Sequence, residues 1–271
     1  MPDGSGEPGR GYLLDNARTE AGVRLEAIAG LFDPVTRRHL DARGVGPGWR
    51  CWEVGAGGPG VASWLAARVG PTGLVVASDI DTSWIGDPPP AGVTVVRHDV
   101  TTGPVPGGPF DLIHARLVLV HLPDRAEVVA TLVGALRPGG WLVLEDADPA
   151  LQPLACIDER GPEEELANRV RAGFRKLLAG RGAELDFGRK LPGLLRDHGL
   201  TDVGANGYFP LVDPRCATLE QATVAHVRAE LVGAGSATGQ EIDRLLDALG
   251  GGRLDVTTAP LLSAWGRRAP D

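Results

Sequence analysis

Residues 50–68 constrain this chain more than any other stretch. An apolar run, Arg50–Val54, carries one acid near its end, Glu53, and leads into Gly55, Gly57 and Gly60 before a helix-forming segment, Val61–Arg68. Glycine lets the backbone turn where a side chain would collide with a neighbour or ligand. A helix start offers N–H groups without intrahelical partners. A strand, a glycine turn and a helix in that order form the first unit of a wound α/β sheet. A nucleotide-like ligand can lie across such a turn at the carboxyl end of the strand. The spacing Gly55-x-Gly57-x-x-Gly60 also matches the dinucleotide fingerprint, so the loop alone leaves the ligand open.

The rest of the chain repeats that rhythm. Strands are expected over Arg50–Val54, Leu74–Ser78, Thr94–Arg97, Phe110–Ala115 and Trp141–Glu145, with helices over Val61–Arg68 and Asp124–Leu136. The turn Arg137-Pro-Gly-Gly140 is expected to close the second of these helices. The strands are short and almost continuously apolar, as strands buried on both faces should be. Alternation of this kind predicts a doubly wound, mostly parallel α/β sheet. Two helices, about Thr19–Leu31 and Asp33–Arg43, precede it. Beyond strand five come helices at Glu163–Ala179, Leu191–His198, Leu219–Val232 and Thr238–Leu249, and strands at Leu200–Phe209 and Ala259–Trp265.

The expected organisation is a disordered tail at 1–10, a helical lid at 11–48 and a core at 49–149. A cap insertion (150–187), a core continuation (188–211) and a second cap (212–256) follow, and the last strand and tail occupy 257–271. Long insertions on an α/β core usually cover or shape a site.

Asp79 lies 19 residues beyond Gly60 at the end of strand two. A carboxylate there can accept both hydroxyls of a ribose. Glu53 stands where dinucleotide-binding folds usually carry an apolar residue, and Asp99 adds a third acid at the end of strand three. Three acids suit a cationic ligand better than a pyrophosphate. The net charge of −8, with no basic stripe, argues against nucleic acid as a partner. No apolar run approaches the roughly 20 residues of a membrane span, and the N-terminus does not read as a signal peptide. Cys51, Cys156 and Cys216 are odd in number and far apart, which fits free thiols in a reducing cytoplasm better than disulfides or a metal site.

Five motifs in order then resemble one family. Glu53-Val-Gly-Ala-Gly-Gly-Pro-Gly60, Ala77-Ser-Asp79-Ile-Asp81, His98-Asp99-Val100, Phe110-Asp-Leu-Ile-His-Ala-Arg116 and Leu136-Arg-Pro-Gly-Gly140 are similar to the motifs of class I S-adenosylmethionine-dependent methyltransferases, small-molecule enzymes of the ubiquinone/menaquinone-biosynthesis type in particular. The resemblance covers residues 50–147 well and 188–211 and 259–268 more loosely.

It implies a Rossmann-like seven-stranded sheet with S-adenosyl-L-methionine as cofactor. Glu53, Gly55, Ala56 and Gly57 would hold the methionine part. Asp79 would take the ribose, Ile80 would pack on the adenine, and Asp99 with the Val100 N–H would meet the adenine amino group. His114, Ala115 and Arg116 would lie beside the sulfonium and the amino-acid end. Tyr12 and Asn16, in a segment similar to the helical lid of part of this family, would close over the cofactor.

Each of these residues also has a plainer reading. Asp79 can be a helix N-cap ahead of Thr82, Asp99 can cap a turn before Thr101-Thr102, Gly55 and Gly57 can make an ordinary tight turn, and Glu53 can be a solvated strand end. His114 and His121 are the histidines nearest the implied methyl group, and Glu145 ends strand five; these three are the candidate bases. His121 also fits a packed position ahead of a helix. The fold implied is therefore that of a cytoplasmic methyltransferase, monomeric or homodimeric, acting on a small or medium organic molecule by alignment and exclusion of water. The common core with private caps resembles methyltransferases of secondary metabolism. Two other activities stay open: a cofactor-binding cyclase or binding protein on the same fold, and an NAD-dependent oxidoreductase. A third reading is a scaffold that has lost the cofactor, against which the intact Gly55, Gly57 and Asp79 argue.

Overall fold

The computed structural model describes residues 13–14 and 20–270. Its strands are β1 (Arg50–Val54), β2 (Leu74–Asp79), β3 (Val93–Arg97), β4 (Phe110–Arg116), β5 (Leu136–Ala147), β6 (Thr201–Tyr208) and β7 (Leu261–Arg267). They form one sheet in the order β3-β2-β1-β4-β5-β7-β6. Strands β1 to β5 are parallel, and β7 runs antiparallel between β5 and β6. The strand order reverses between β1 and β4, so the crevice at their carboxyl ends is where a doubly wound sheet takes its ligand.

Side chains alternate between the two faces along each strand. Cys51, Val75, Leu112 and Val143 pack on one face under α2 (Gly60–Val69) and the rear of α1 (Glu20–Ala42), with Leu65 and Leu40. Trp52, Val76, Ile113 and Leu144 pack on the other under α3 (Arg125–Ala135) and α5 (Leu191–Asp197), with Leu132 and Leu195. Continuing the alternation puts Glu53, His114 and Glu145 together on the α1 face.

A second core lies outside the sheet. Helices α4 (Pro162–Gly180), α6 (Pro214–His226), α7 (Arg228–Gly233) and α8 (Gly239–Gly250) bury Leu166, Val170, Val224, Leu231, Ile242 and Leu245 against Leu13, Leu14, Leu31 and Phe32. Each such side chain stabilises by about 1.5–3 kcal/mol when fully buried. The helix starts are written in the sequence. Thr238 and Glu241 close a reciprocal capping box on α8, Asp213 caps α6 ahead of Pro214, and Glu163, Glu164 and Glu165 occupy the positive end of α4. Among the described residues no helix is long and apolar enough to cross a membrane.

Three expectations are corrected. The two N-terminal helices are one, because Pro34 sits on the exposed side of α1 and does not end it. The Arg137–Gly140 segment is part of β5 and forms an irregularity between the pairs Phe110–Leu136 and Leu112–Trp141, with Gly139 at φ 77°. The helix expected at Leu219–Val232 is two: α6 begins earlier, and the chain leaves helical geometry at Val227, where no glycine or proline marks the break.

Candidate active site at the carboxyl ends of β1, β2, β4 and β5

Gly55 and Gly57 have φ of 64° and 61°, a region costly for other residues. A Cβ at Gly55 would lie 2.3 Å from Val118 Cγ2, and one at Gly57 would lie 3.1 Å from Leu25 Cδ2. The loop is therefore tight on both sides, with the front of α1 above it. Ala56 sits between these glycines, and its N–H bonds the Ser78 carbonyl, which holds the loop to β2.

Asp79 ends β2 beside that loop. The Gly57 N–H donates to its Oδ2 at 2.9 Å and the Asp81 N–H to its Oδ1 at 3.0 Å. Burial raises its pKa, while these backbone bonds act the other way. Each oxygen keeps a further acceptor position. Ile80, next in sequence, is 55% exposed. Trp84 packs on α1, where Gly22 leaves room for its ring. Asp99 is exposed, and its Oδ1 accepts from the Thr101 hydroxyl at 2.6 Å and the Thr101 N–H at 2.9 Å. The Thr101 hydroxyl is the main cause of its lowered pKa. Val100 is half-buried against the core.

On the β4–β5 side the polar residues close on one another. His114 is fully buried, with Nδ1 2.7 Å from Glu53 Oε2 and Nε2 3.3 Å from Glu145 Oε2. Burial alone would disfavour the imidazolium, but the two carboxylates outweigh it and push the pKa up to about 9. Glu145 is likewise fully buried. Burial would raise its pKa, but His114, Arg116 and Thr36 hold it down at about 2. The Ser263 hydroxyl donates to Glu145 Oε1 at 2.7 Å, and the Thr36 hydroxyl donates to Oε2.

The network then crosses to α1. Arg116 donates to Thr36 Oγ1 at 2.9 Å and to Asp33 Oδ1 at 2.8 Å, and Arg37 reaches Asp33 Oδ2 at 3.2 Å. Asp33 also faces Gly60 in the first turn of α2, a favourable place for a carboxylate. Ala115 is buried beside His114 in β4.

Two further groups lie beyond β4. His121 closes the 3-10 turn Leu119–His121, and burial, with Arg24 and Arg125 nearby, pushes its pKa down to about 4. Asp146 sits under the same turn with Oδ2 accepting from the Val120 N–H at 3.3 Å. Burial pushes this carboxyl up to about 8.

The sheet thus brings Glu53, Gly55, Ala56, Gly57, Asp79, Ile80, His114, Ala115 and Arg116 to one edge, with Asp99 and Val100 at its β3 end. Tyr12 and Asn16 lie outside the described residues. Two expectations about a base change with this geometry. Both nitrogens of His114 and both oxygens of Glu145 are already engaged, so neither is a free base facing a substrate. Asp33, Thr36 and Ser263 were not singled out in the sequence. The available signal was the spacing Asp33-x-x-Thr36-x-x-His39, polar residues falling on the buried face of α1.

A family model described as a methyltransferase domain matches residues 52–144. Methyltransferase str3 of Strobilurus tenacellus is 30% identical over 192 residues, 66% of either chain. The nocamycin O-methyltransferase of Saccharothrix syringae is 32% identical over 171 residues, covering 54% of this chain and 61% of its own length. The matches span between 46% and 66% of the first curated relatives' own lengths. In fold, the chain is similar to Haemonchus contortus phosphoethanolamine N-methyltransferase 2, with a TM-score of 0.58, 15% identity, and coverage of 96% of this chain and 61% of that one. The ordered motifs, the strand order and these likenesses agree: the chain belongs to the class I S-adenosylmethionine-dependent methyltransferases.

Proposed function

We propose that the protein transfers a methyl group from S-adenosyl-L-methionine to an oxygen, nitrogen or carbon of a small or medium organic molecule. The observation that carries this reading is Asp79, whose two oxygens are oriented by the Gly57 and Asp81 N–H groups at the edge of the glycine loop. A carboxylate held by backbone donors keeps acceptor capacity for two vicinal hydroxyls. Exposed Ile80 supports an adenine placed beside it, and Asp99 and the Val100 N–H are assigned to the far edge of the base. Gly55, Ala56 and Gly57 are assigned to the amino-acid end. The net charge of −8 supports a small molecule over nucleic acid as partner, and three buried free cysteines support a cytoplasmic setting.

The bound cofactor supplies a methyl group on a positively charged sulfur. The chain's own part is then to align the acceptor and exclude water, and alignment alone can lower a barrier by ~7–11 kcal/mol. His121 is the candidate base that the geometry leaves. Its low pKa makes it neutral at pH 7 but a weak proton acceptor, which favours alignment over base catalysis. We assign Glu53, His114, Glu145 and Arg116 to positioning: they fix the ends of β1, β4 and β5 relative to α1. The substrate classes named for the relatives, among them a nocamycin O-methyltransferase, support a secondary metabolite as acceptor.

Calorimetry with S-adenosylmethionine, its demethylated product and NAD tests the reading. Micromolar binding of the first two and far weaker binding of NAD is expected. Tight NAD binding with no S-adenosylmethionine binding would reject it.

A further inference from the structure

Helix α1 does two jobs along its length. Its rear half is fastened to the sheet through Asp33–Arg116 and Thr36–Glu145. Its front half lies over the glycine loop, with Leu25 against Gly57 and Gly22 against Trp84. Pro34 stands at the start of the rear half, and the backbone hydrogen bond it removes would have spanned residues 30–34, where the two halves meet. A proline has no N–H, so the Gly30 carbonyl, four residues earlier, lacks its intrahelical donor. The donor comes from another region: Arg215, in the first turn of α6, gives its Nη1–H to the Gly30 oxygen at 3.1 Å.

The fit is built from several sides. A Cβ at position 30 would lie 2.7 Å from Arg215 Cδ, so a glycine is what lets the arginine stem lie against the helix. Asp213 caps α6 by accepting from the Arg215 N–H at 2.9 Å, and its other oxygen takes the Arg215 guanidinium at 3.3 Å. One carboxylate therefore fixes both the start of the cap helix and the direction of the arginine.

We propose that Arg215 is a positioning residue that replaces the hydrogen bond Pro34 removes, and thereby holds the front of α1 over the glycine loop from the cap. A residue of the cap would then set cofactor affinity without touching the cofactor. The affinity part rests on the reading that this loop takes S-adenosylmethionine; the hinge part does not.

The test uses the full chain as wild type, Arg215→Ala, Arg215→Lys, Pro34→Ala and Pro34→Ala/Arg215→Ala. Amide hydrogen exchange over 20–29 and 35–42 is read without ligand, and S-adenosylmethionine affinity by calorimetry. Arg215→Ala should speed exchange over 20–29 while leaving 35–42 unchanged, and should weaken binding about fivefold, the loss of one ordinary hydrogen bond. Arg215→Lys should recover much of both, since one donor suffices. Pro34→Ala restores the missing N–H, so the double variant should exchange and bind like Pro34→Ala alone. Equal exchange and affinity in wild type and Arg215→Ala would overturn the proposal. So would an Arg215→Ala effect that persists undiminished in the Pro34→Ala background, because a merely structural surface contact behaves that way. A wild type that binds no S-adenosylmethionine but shows the exchange pattern would reject the proposed function and keep the hinge.

Discussion

On the β2–β3 side of the crevice, Asp79 and Asp99 take their hydrogen bonds from backbone N–H groups and a threonine hydroxyl. On the β4–β5 side, Glu53 and Glu145 close on His114, and the chain of contacts runs on through Thr36, Arg116 and Asp33. Both sets of acids stand at strand ends of one sheet, yet they differ in what is left over. An acid held by backbone donors keeps lone pairs for a ligand. An acid closed on a buried imidazolium spends its charge inside the protein, where the pair persists only if the remaining polar atoms are satisfied. The first side keeps acceptor positions open at the crevice, as the proposed function requires, and the second joins α1 to the sheet.

The largest expected effect breaks the second side. Glu145→Ala leaves the His114 imidazolium with one partner and removes the acceptor of the Ser263 and Thr36 hydroxyls, and should cost about 3–5 kcal/mol of stability in a denaturant titration. A loss under about 1 kcal/mol would show that the network is decorative.

The pH dependence of stability follows from the same residues. His114 has its pKa raised from 6.5 to about 9, so its contribution is full below about 6.5 and is lost as pH rises through 9. Glu145, lowered to about 2, contributes above its ordinary 4.5 and loses that contribution as pH falls toward 2. Asp146, raised to about 8, opposes folding increasingly as pH climbs from about 4 to 8. Stability should therefore fall on the alkaline side, and His114→Asn should flatten the part of the decline between pH 7 and 9. An unchanged alkaline limb in that variant would show that the imidazolium is not its source.

Asp79→Asn sharpens the comparison from the other side. The change removes the charge and sets an amide NH2 against one of the two backbone N–H donors, and should weaken S-adenosylmethionine binding at least about tenfold while lowering stability without ligand by about 1–3 kcal/mol. A folded variant with unaltered affinity would take Asp79 out of the site. His121→Ala, followed in single-turnover rates at saturating cofactor, should slow transfer less than about tenfold, below the ~10²–10⁴ of general-base loss. A thousandfold drop with affinity intact would make His121 the base. Asp99→Ala should have the smallest effect, about threefold in affinity, because the residue is exposed and one oxygen is already bonded to Thr101.

Much of this protein was legible from local sequence. The glycine turn, the strand cores of β1 to β5 and Asp79 at the end of β2 were all readable, because each depends on residues within a few positions of itself. A strand shows as a short apolar run, a left-handed turn as a glycine, and the acid proposed to take the ribose by its distance from the loop. Boundaries erred where two local signals competed. Pro34 reads as a break unless its ring is known to face solvent, and Arg137-Pro-Gly-Gly140 reads as a turn although part of it pairs into β5.

The contacts of the polar side chains were set by the tertiary structure. His114 alone in the sequence has the pKa of a candidate base. It becomes a buried imidazolium because strands β1 and β5 set Glu53 and Glu145 on its two nitrogens, and α1 seals them with Thr36. Those partners lie 61, 31 and, from Thr36 to Glu145, 109 positions apart, distances over which no sequence period reports a contact. Arg215 and Gly30 are 185 positions apart for the same reason. Sequence determines where acids, turns and apolar faces fall along the chain. Which acids face a ligand and which are consumed by a neighbour depends on register and packing, because a charge takes its strength from the burial and partners that only the folded chain brings together.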